Sequence, residues 1–257
     1  MKFYFKKILL IIFFVSSQSY LLAASEMHDP LNLDWSFEGP LGKFDRAALQ
    51  RGYQVYSEVC SGCHSMDLLS YRNLTDEGGP EFSEGQAKAM AAMFEVEAGP
   101  DQDGEMFSRA AILSDKFANP WQNEEQGRAS NGGAYPPDLS VIVKARPGGA
   151  DYIYSLLVGY EDAPENMELD DGVYYNIYAK GQKIAMPQLL YEDAVEYTDG
   201  TTATPEQMSL DVTTFLTWTA EPKLEVRKRM GFKVIVYLLI LSFLLYFTNK
   251  QIWKDSH

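Results

Sequence analysis

The chain has 257 residues, of which 22 are lysine or arginine and 36 are aspartate or glutamate, giving a formal net charge of −14 at pH 7. The acidic side chains are concentrated in residues 25–226, which hold 13 basic and 35 acidic residues, a formal charge of −22. A segment of this length suits one hydrophobic core. Its charge excludes nucleic acid as a partner and favours a basic protein, which such a field steers toward the surface.

Residues 1–24 have the pattern of a secretory signal peptide. Three lysines precede the short apolar run Ile8–Val15, and small residues stand at Ala23 and Ala24, where we expect cleavage. The apolar run is shorter than the roughly 20 residues that span a bilayer. The alternatives are an uncleaved anchor and cleavage after Ser25. The pattern predicts that the following domain is exported.

The first predicted helix begins after Asp45, a suitable N-cap residue, and runs to Cys60. Leu49, Tyr53, Tyr56 and Cys60 recur at spacings of four, three and four residues, which places them on one helix face. That face leads directly into the next motif.

The motif Cys60-Ser-Gly-Cys63-His64 has the C-x-x-C-H pattern of covalent c-type haem attachment. Each cysteine sulfur adds to one vinyl group of the porphyrin, and the histidine that follows can bind the iron from the proximal side. A structural zinc site needs about four ligands, but the remaining histidines, His28 and His257, lie near the chain ends. A thioredoxin-like pair would need a βαβ setting, which this region lacks. The motif therefore predicts one covalent haem c.

Two features are predicted in the next part of the chain. Ser83–Gln86 is a capping box that opens a helix through Phe94, with Met90, Met93 and Phe94 in the core. Residues 100–147 are rich in Gly, Pro, Asn and Ser, which favours long loops. Loops of this length in a compact domain usually have a function or enclose a ligand.

Two more helices complete the predicted domain, which is mainly α. One covers Ala150–Val158 and ends at Gly159. The other begins at the capping box Thr204–Gln207, has proline at its first position and stops at Glu221. Three acidic runs lie between the predicted helices, any one of which is also typical of a solvated loop: Glu95–Glu105, Glu161–Asp171 and Glu192–Asp199.

Residues 227–257 are predicted to form a single membrane anchor with a short cytoplasmic tail. The apolar run Val234–Thr248, with apolar residues on both sides, gives about a bilayer's length of helix, and Tyr246 and Trp253 suit the interfacial aromatic belt. A buried soluble helix, the alternative, would need polar residues along one face. Basic residues before the helix argue against an exported domain by the positive-inside rule, but that rule does not reach a translocated domain of about 200 residues.

An iron with one histidine ligand needs a second axial ligand or keeps an open site. Four methionines lie outside the signal peptide, the anchor and the predicted helices. They are also far enough along the chain from His64 to reach the opposite face of the haem: Met27, Met106, Met167 and Met186. Spacing ranks Met186 first, because it lies in a loop just before the last domain helix and is followed by a stiffening proline. A His/Met pair raises the reduction potential and favours electron transfer over oxygen chemistry.

Five segments resemble the cytochrome c1 family of cytochrome bc1 complexes, in the order that family has them: Arg51–Met66, Asn131–Ser140, Ala145–Gly149, Ala185–Gln188 and Ala220–Gly231. The resemblance covers essentially the whole mature chain. It implies a class I cytochrome c fold with long loop insertions, in addition to the C-terminal helix.

The resemblance also implies roles for individual residues. Met186 matches the distal haem ligand, and Arg146 matches an arginine that pairs with a haem propionate, for which Arg128 is the competing candidate. Three further residues match haem-pocket positions: Asn131, Pro137 and Tyr152. Some bacterial relatives carry an extra cysteine pair that braces the distal loop, whereas this chain has only the two motif cysteines. Packing and hydrogen bonds alone are therefore expected to hold the Met186 loop.

The function implied is electron transfer from the Rieske iron–sulfur protein to a basic c-type cytochrome within quinol:cytochrome c oxidoreductase, with no catalysis by this chain on its own. The expected partners are cytochrome b, the Rieske protein, the acceptor cytochrome and the lipid bilayer. The expected location is the bacterial inner membrane, with one span and the haem domain in the periplasm. Two alternatives are a free-standing anchored cytochrome that serves another reductase or oxidase, and a haem enzyme or gas sensor with an open sixth site.

Overall fold

The computed structural model describes residues 28–254. The predicted signal peptide, the candidate ligand Met27 and the terminal His257 lie outside the described residues. The described part is mainly helical with one long C-terminal helix, as the sequence predicted, and it also contains two short two-stranded sheets that the sequence did not predict.

Helix α1 covers Arg46–Val55 and confirms the predicted start, because the Asp45 side chain accepts hydrogen bonds from two backbone N–H groups of the first turn. The helix continues as a π-helical turn over Tyr56–Cys60, so the C-x-x-C-H motif begins at the end of a widened turn. Such turns are frequent at functional sites. Leu49, Tyr53 and Tyr56 are buried, as their spacing predicted.

Helix α2 covers Glu84–Ala91 and begins at the predicted Ser83 capping box. It ends three residues earlier than predicted, because the chain turns at residues 92–94 and enters strand β1. Met93 lies on the outside of this turn and is 80% exposed, so its assignment to the core was wrong. Met90 and Phe94 do pack against the core.

The region predicted as long loops contains regular structure. Strand β2 (Phe107–Ala110) lies in this region and pairs antiparallel with strand β1 (Glu95–Ala98), which precedes it, and helix α3 covers Glu124–Ser130. The Asn123 side chain caps α3 by accepting a hydrogen bond from the N–H of Gln126. The sequence carried this capping signal, but the surrounding Gly and Pro residues favoured a loop.

Helix α4 covers Gly149–Val158 and ends at Gly159, within one residue of the predicted bounds. Strands β3 (Tyr174–Tyr175) and β4 (Lys183–Ile184) form a second antiparallel pair. Helix α5 covers Pro205–Ala220, with the side chain of Thr204 as its N-terminal cap, which confirms the last predicted domain helix.

Helices α1 and α5 cross in direct contact at Gly52. A Cβ atom at this position would lie 2.1 Å from the backbone oxygen of Asp211, so only glycine fits. Tyr53 of α1 and Tyr56 of the π-helical turn pack against Phe215 of α5, with ring centroids 5.8 and 5.9 Å apart. These aromatic contacts form the centre of the core.

Helix α6 covers Leu224–Ile252, and its most apolar stretch has no buried residues. The helix is long and apolar enough to cross a membrane, which supports the predicted single C-terminal span. Its first turn is docked on the domain, because Leu224 is buried and the carboxylate of Glu225 accepts hydrogen bonds from Arg46 and from the N–H of Phe44.

Candidate haem site

One cavity lies between the end of α1, helices α4 and α5, and the loops around residues 131–139 and 184–190. The eight site residues proposed from the sequence all line it: Cys60, Cys63, His64, Asn131, Pro137, Arg146, Tyr152 and Met186. Residues from both halves of the chain thus meet at one place.

Apolar side chains form much of the remaining wall. Ile153 and Leu157 come from α4, and Val212 and Leu216 come from α5. Spacings of four residues in both helices place each pair on one helix face. An apolar wall suits a flat, largely apolar macrocycle and keeps water away from its centre.

The imidazole of His64 is held by a backbone carbonyl. Its Nδ1 atom lies 2.8 Å from the oxygen of Pro137. Because a carbonyl can only accept, Nδ1 carries the proton and donates it, which leaves the lone pair of Nε2 free to bind a metal. Burial lowers the pKa of His64, despite the opposing effect of the Pro137 hydrogen bond. The site therefore holds a neutral imidazole, the form that ligates iron.

The loop that carries Pro137 is fixed to the segment after His64. The carboxylate of Asp138 accepts hydrogen bonds from the hydroxyl of Ser65 at 2.9 Å and from the N–H of Asp67 at 2.8 Å. These two bonds restrain Asp138 and with it the adjacent Pro137. The orientation of the His64 ring is therefore set by the Pro137 loop, which hydrogen bonds to Asp138 hold in place.

The attachment motif is held by a tryptophan that the sequence analysis did not identify. The indole N–H of Trp121 donates to the carbonyl oxygen of Cys63 at 2.9 Å. No local pattern reveals this contact, because the two residues are 58 positions apart. Neither Cys60 nor Cys63 forms a disulfide, so both sulfur atoms are available for thioether bonds.

Met186 follows strand β4 and lies on the cavity wall. A second residue missed from the sequence, Tyr160, donates its hydroxyl to the carbonyl oxygen of Met186 at 2.9 Å. Among the other candidate ligands, Met106 is exposed on the β1–β2 hairpin, and neither Met106 nor Met167 lines the cavity.

The two candidate propionate partners occupy different environments. Arg128 forms an ion pair with Glu124 and lies over the ring of Tyr135, outside the cavity lining. Arg146 lines the cavity and donates to the carbonyl of Ala145, and within residues 28–254 it forms no ion pair. Its charge is thus available to a carboxylate in the cavity.

The residues present fit a haem c. Within the described residues, the apolar cavity is surrounded by two cysteine sulfurs outside any disulfide, a neutral imidazole with its Nδ1 engaged, a thioether and an arginine that forms no ion pair. Sulfur and imidazole donors in this combination are those that hold haem iron.

Comparisons with known proteins agree with this chemistry. The model of the Cytochrome C1 family matches residues 35–256. "Cytochrome c1" of Rhodospirillum rubrum is 44% identical over 238 residues, covering 86% of each chain. "Cytochrome c1 2, heme protein, mitochondrial" of Arabidopsis thaliana is 51% identical over 213 residues, 83% of this chain and 68% of that protein.

A third relative is longer than this chain. "Cytochrome b/c1" of Bradyrhizobium diazoefficiens is 47% identical over 242 residues, 87% of this chain, which spans only 35% of that protein. The match with the family model covers nearly all of the described residues. The chain therefore belongs to the cytochrome c1 family, the haem-carrying electron-transfer subunits of the cytochrome bc1 complex, which are not catalysts on their own.

Proposed function

We propose that this chain holds one covalent haem c between His64 and Met186 and passes electrons from a Rieske iron–sulfur protein to a basic c-type cytochrome. It does so within quinol:cytochrome c oxidoreductase. The observation that carries the proposal is the meeting of all eight sequence-selected residues in one cavity, with His64 oriented for ligation.

When bound, haem supplies one-electron redox chemistry. Cys60 and Cys63 would tether it through their sulfur atoms, one to each vinyl group. His64 presents Nε2 because Nδ1 donates to Pro137. Met186 would supply a thioether to the iron as a second ligand, and a His/Met pair favours electron transfer over oxygen chemistry.

The polar residues of the cavity hold the group and its loop. Arg146 has the charge and position to pair with a propionate, a charge-assisted contact. Asn131 donates its side-chain N–H to the carbonyl oxygen of Gly127 at 2.7 Å, which fixes the turn that leads to the cavity. Tyr152 completes the polar part of the wall from α4.

The charge of the domain supports a basic electron acceptor. Residues 25–226 have a formal charge of −22, and most acidic residues of the three runs are exposed. A field of this size accelerates the encounter with a basic cytochrome, and salt weakens the effect. The acceptor must approach closely enough for electron transfer through the cavity rim.

The proposed topology follows the same division of the chain. Residues 1–24 direct export, residues 25–226 form the periplasmic haem domain, and residues 227–257 anchor it beside cytochrome b. In support, the apolar surface of α6 is uncovered in the chain alone, as expected for a helix that contacts lipid and neighbouring membrane helices.

The deciding experiment is a reduced-minus-oxidised spectrum of the protein purified in mild detergent through a C-terminal tag. Quinol-dependent cytochrome c reduction is assayed on the same sample. A b-type signal beside the c-type signal, with activity, supports the proposal. A lone c-type signal without activity, from membranes that contain the other subunits, would instead indicate a free-standing shuttle.

The ligand set has its own test. Replacing Met186 with alanine should abolish the red charge-transfer band of a ferric Met–iron bond and allow the reduced protein to bind carbon monoxide. Met106→Ala is the matched control, because Met106 is exposed and does not line the cavity. Carbon monoxide binding by the unmodified protein would indicate an open sixth site.

A further inference from the structure

The loop that carries Met186 has few internal bonds. From Met186 to Leu190, no backbone group forms a hydrogen bond with another backbone group of residues 28–254. Pro187 also lacks an N–H group. Two tyrosine hydroxyls supply the hydrogen bonds that this backbone does receive: Tyr160 donates to Met186, and Tyr191 donates to Gln188.

The two tyrosines differ in what they connect. Tyr191 lies three residues from its acceptor and is 57% exposed, so it moves with the loop. Tyr160 lies 26 residues from its acceptor and belongs to the segment after α4. Only the Tyr160 hydroxyl therefore joins the backbone of this loop to another part of the fold by a hydrogen bond, within the described residues.

Tyr160 itself is held rigidly. Its backbone pairs antiparallel with Asn176, which is fully buried and donates its side-chain N–H to the carbonyl of Leu156 at 2.8 Å. The carbonyl of Gly159 accepts a hydrogen bond from Ile177 at 3.0 Å. The hydroxyl is thus held in a fixed position beside the end of α4, the helix that also forms a wall of the haem cavity.

The Tyr160 hydroxyl is the donor in this hydrogen bond, because a carbonyl oxygen can only accept. A side-chain anchor of this kind is effective when its own position is fixed by packing and hydrogen bonds.

We infer that Tyr160 is the positioning residue for Met186, because its hydroxyl holds the backbone carbonyl of Met186 in place by a hydrogen bond and thereby keeps the thioether in the haem cavity. The inference rests on the proposed function, in which Met186 is an axial ligand. The loop has a closed state, with Met186 on the iron, and an open state, in which an added ligand can take its place. The Tyr160 hydrogen bond stabilises the closed state.

The test is a titration of the ferric, haem-loaded full chain with imidazole, comparing Tyr160→Phe with the unmodified protein. Imidazole must displace Met186, so its apparent affinity is proportional to the open fraction. Loss of one hydrogen bond of ordinary net strength should raise that affinity roughly three- to tenfold. The substitution removes a single oxygen atom, and haem content on the same samples verifies folding.

Tyr191→Phe is the matched control, because it removes a hydroxyl from the same loop without releasing the loop from the fold. Its imidazole affinity should change less than about twofold. Equal effects of the two substitutions would overturn the inference. So would a Tyr160→Phe variant with unchanged affinity, even if it unfolds at lower temperature, because that result would make Tyr160 merely structural.

Failure of the proposed function is recognised first, on the unmodified protein. If its ferric spectrum lacks the Met–iron charge-transfer band, Met186 is not the ligand and the proposed ligand set fails. If the band is present and Tyr160→Phe binds imidazole like the unmodified protein, only the positioning role is wrong.

Discussion

The guanidinium of Arg51 donates two hydrogen bonds to the carboxylate of Asp211, Nε to Oδ2 at 2.8 Å and Nη2 to Oδ1 at 2.9 Å. The side chain of Asp211 is completely buried. The pair joins α1, which leads into the haem-attachment motif, to α5, which contributes Val212 and Leu216 to the cavity wall. The ion pair thus fixes two sides of the site relative to each other.

We expect Arg51→Met to destabilise the haem-loaded chain by about 3–5 kcal/mol, because it leaves a buried carboxylate without its cation. Arg109→Met is the matched control: Arg109 also binds its partner, Asp115, with two hydrogen bonds, but both side chains are partly exposed, at 35% and 19%. A surface pair contributes about 1 kcal/mol or less. Denaturant unfolding in mild detergent measures the stability of both variants. Equal losses of stability would show that burial of Asp211 does not make the loss of its cation more costly.

Acid should weaken the same region through Asp199. A backbone hydrogen bond from Thr201, followed by the ion pair with Arg51, lowers the pKa of Asp199 to about 2. The pKa of an unfolded aspartate is about 3.9. Because the folded value is the lower one, the stabilisation is complete above about pH 5 and is lost as the pH falls toward 2.

We therefore expect Asp199→Asn to flatten the dependence of the urea midpoint on pH between about 2 and 5, since the amide can still accept from Thr201 but does not titrate. Some acid dependence should remain, because hydrogen bonds from Arg109 also lower the pKa of Asp115. Parallel pH profiles for the two proteins would show that Asp199 has the same pKa folded and unfolded.

The sequence predicted the features that have local causes. Asp45 and Thr204 cap their helices, and Gly159 ends α4, because each acts on backbone within a few residues. Met93 was misplaced because tertiary contacts end α2 early and turn its side chain outward. The spacing of apolar residues along the sequence could not show that turn.

The cavity residues were predictable for a different reason. Cys60, Cys63 and His64 form a short motif, and Met186 was selected through the family resemblance after spacing had ranked it first. Trp121 and Tyr160 were missed because their acceptors are backbone carbonyls 58 and 26 residues away. Any residue type can present a carbonyl, so such a contact leaves no pattern in the sequence.

Gly52 provides a test of the contact between α1 and α5. In Gly52→Ala, the added Cβ would lie 2.1 Å from the oxygen of Asp211 and 2.7 Å from the Cβ of Phe215. The helices must move apart, so we expect a loss of about 1–3 kcal/mol. Gly85→Ala, in an exposed part of α2 with nothing within 4 Å, should instead stabilise by up to about 1 kcal/mol. Thermal unfolding of both variants measures the contrast.

The C-terminal helix should be separable into a docked part and an anchoring part. Glu225 binds Arg46 through two hydrogen bonds, at 2.8 and 2.9 Å, whereas the helix is apolar and uncovered beyond Lys233. We expect a chain that stops after Lys233 to be released from membranes by a carbonate wash and to keep its haem. The full chain, washed in parallel, should stay in the membrane.

A chain that stops after Lys223 should also be released but should be less stable. It loses the buried side chain of Leu224 and the Glu225 carboxylate, which leaves Arg46 and the N–H of Phe44 without that acceptor. Hydrogen bonds to a charged group contribute about 1.5–3 kcal/mol, so its denaturant midpoint should fall clearly below that of the chain ending at Lys233. Equal midpoints would mean that the first turn of α6 serves the anchor alone, and that the haem domain is complete before it.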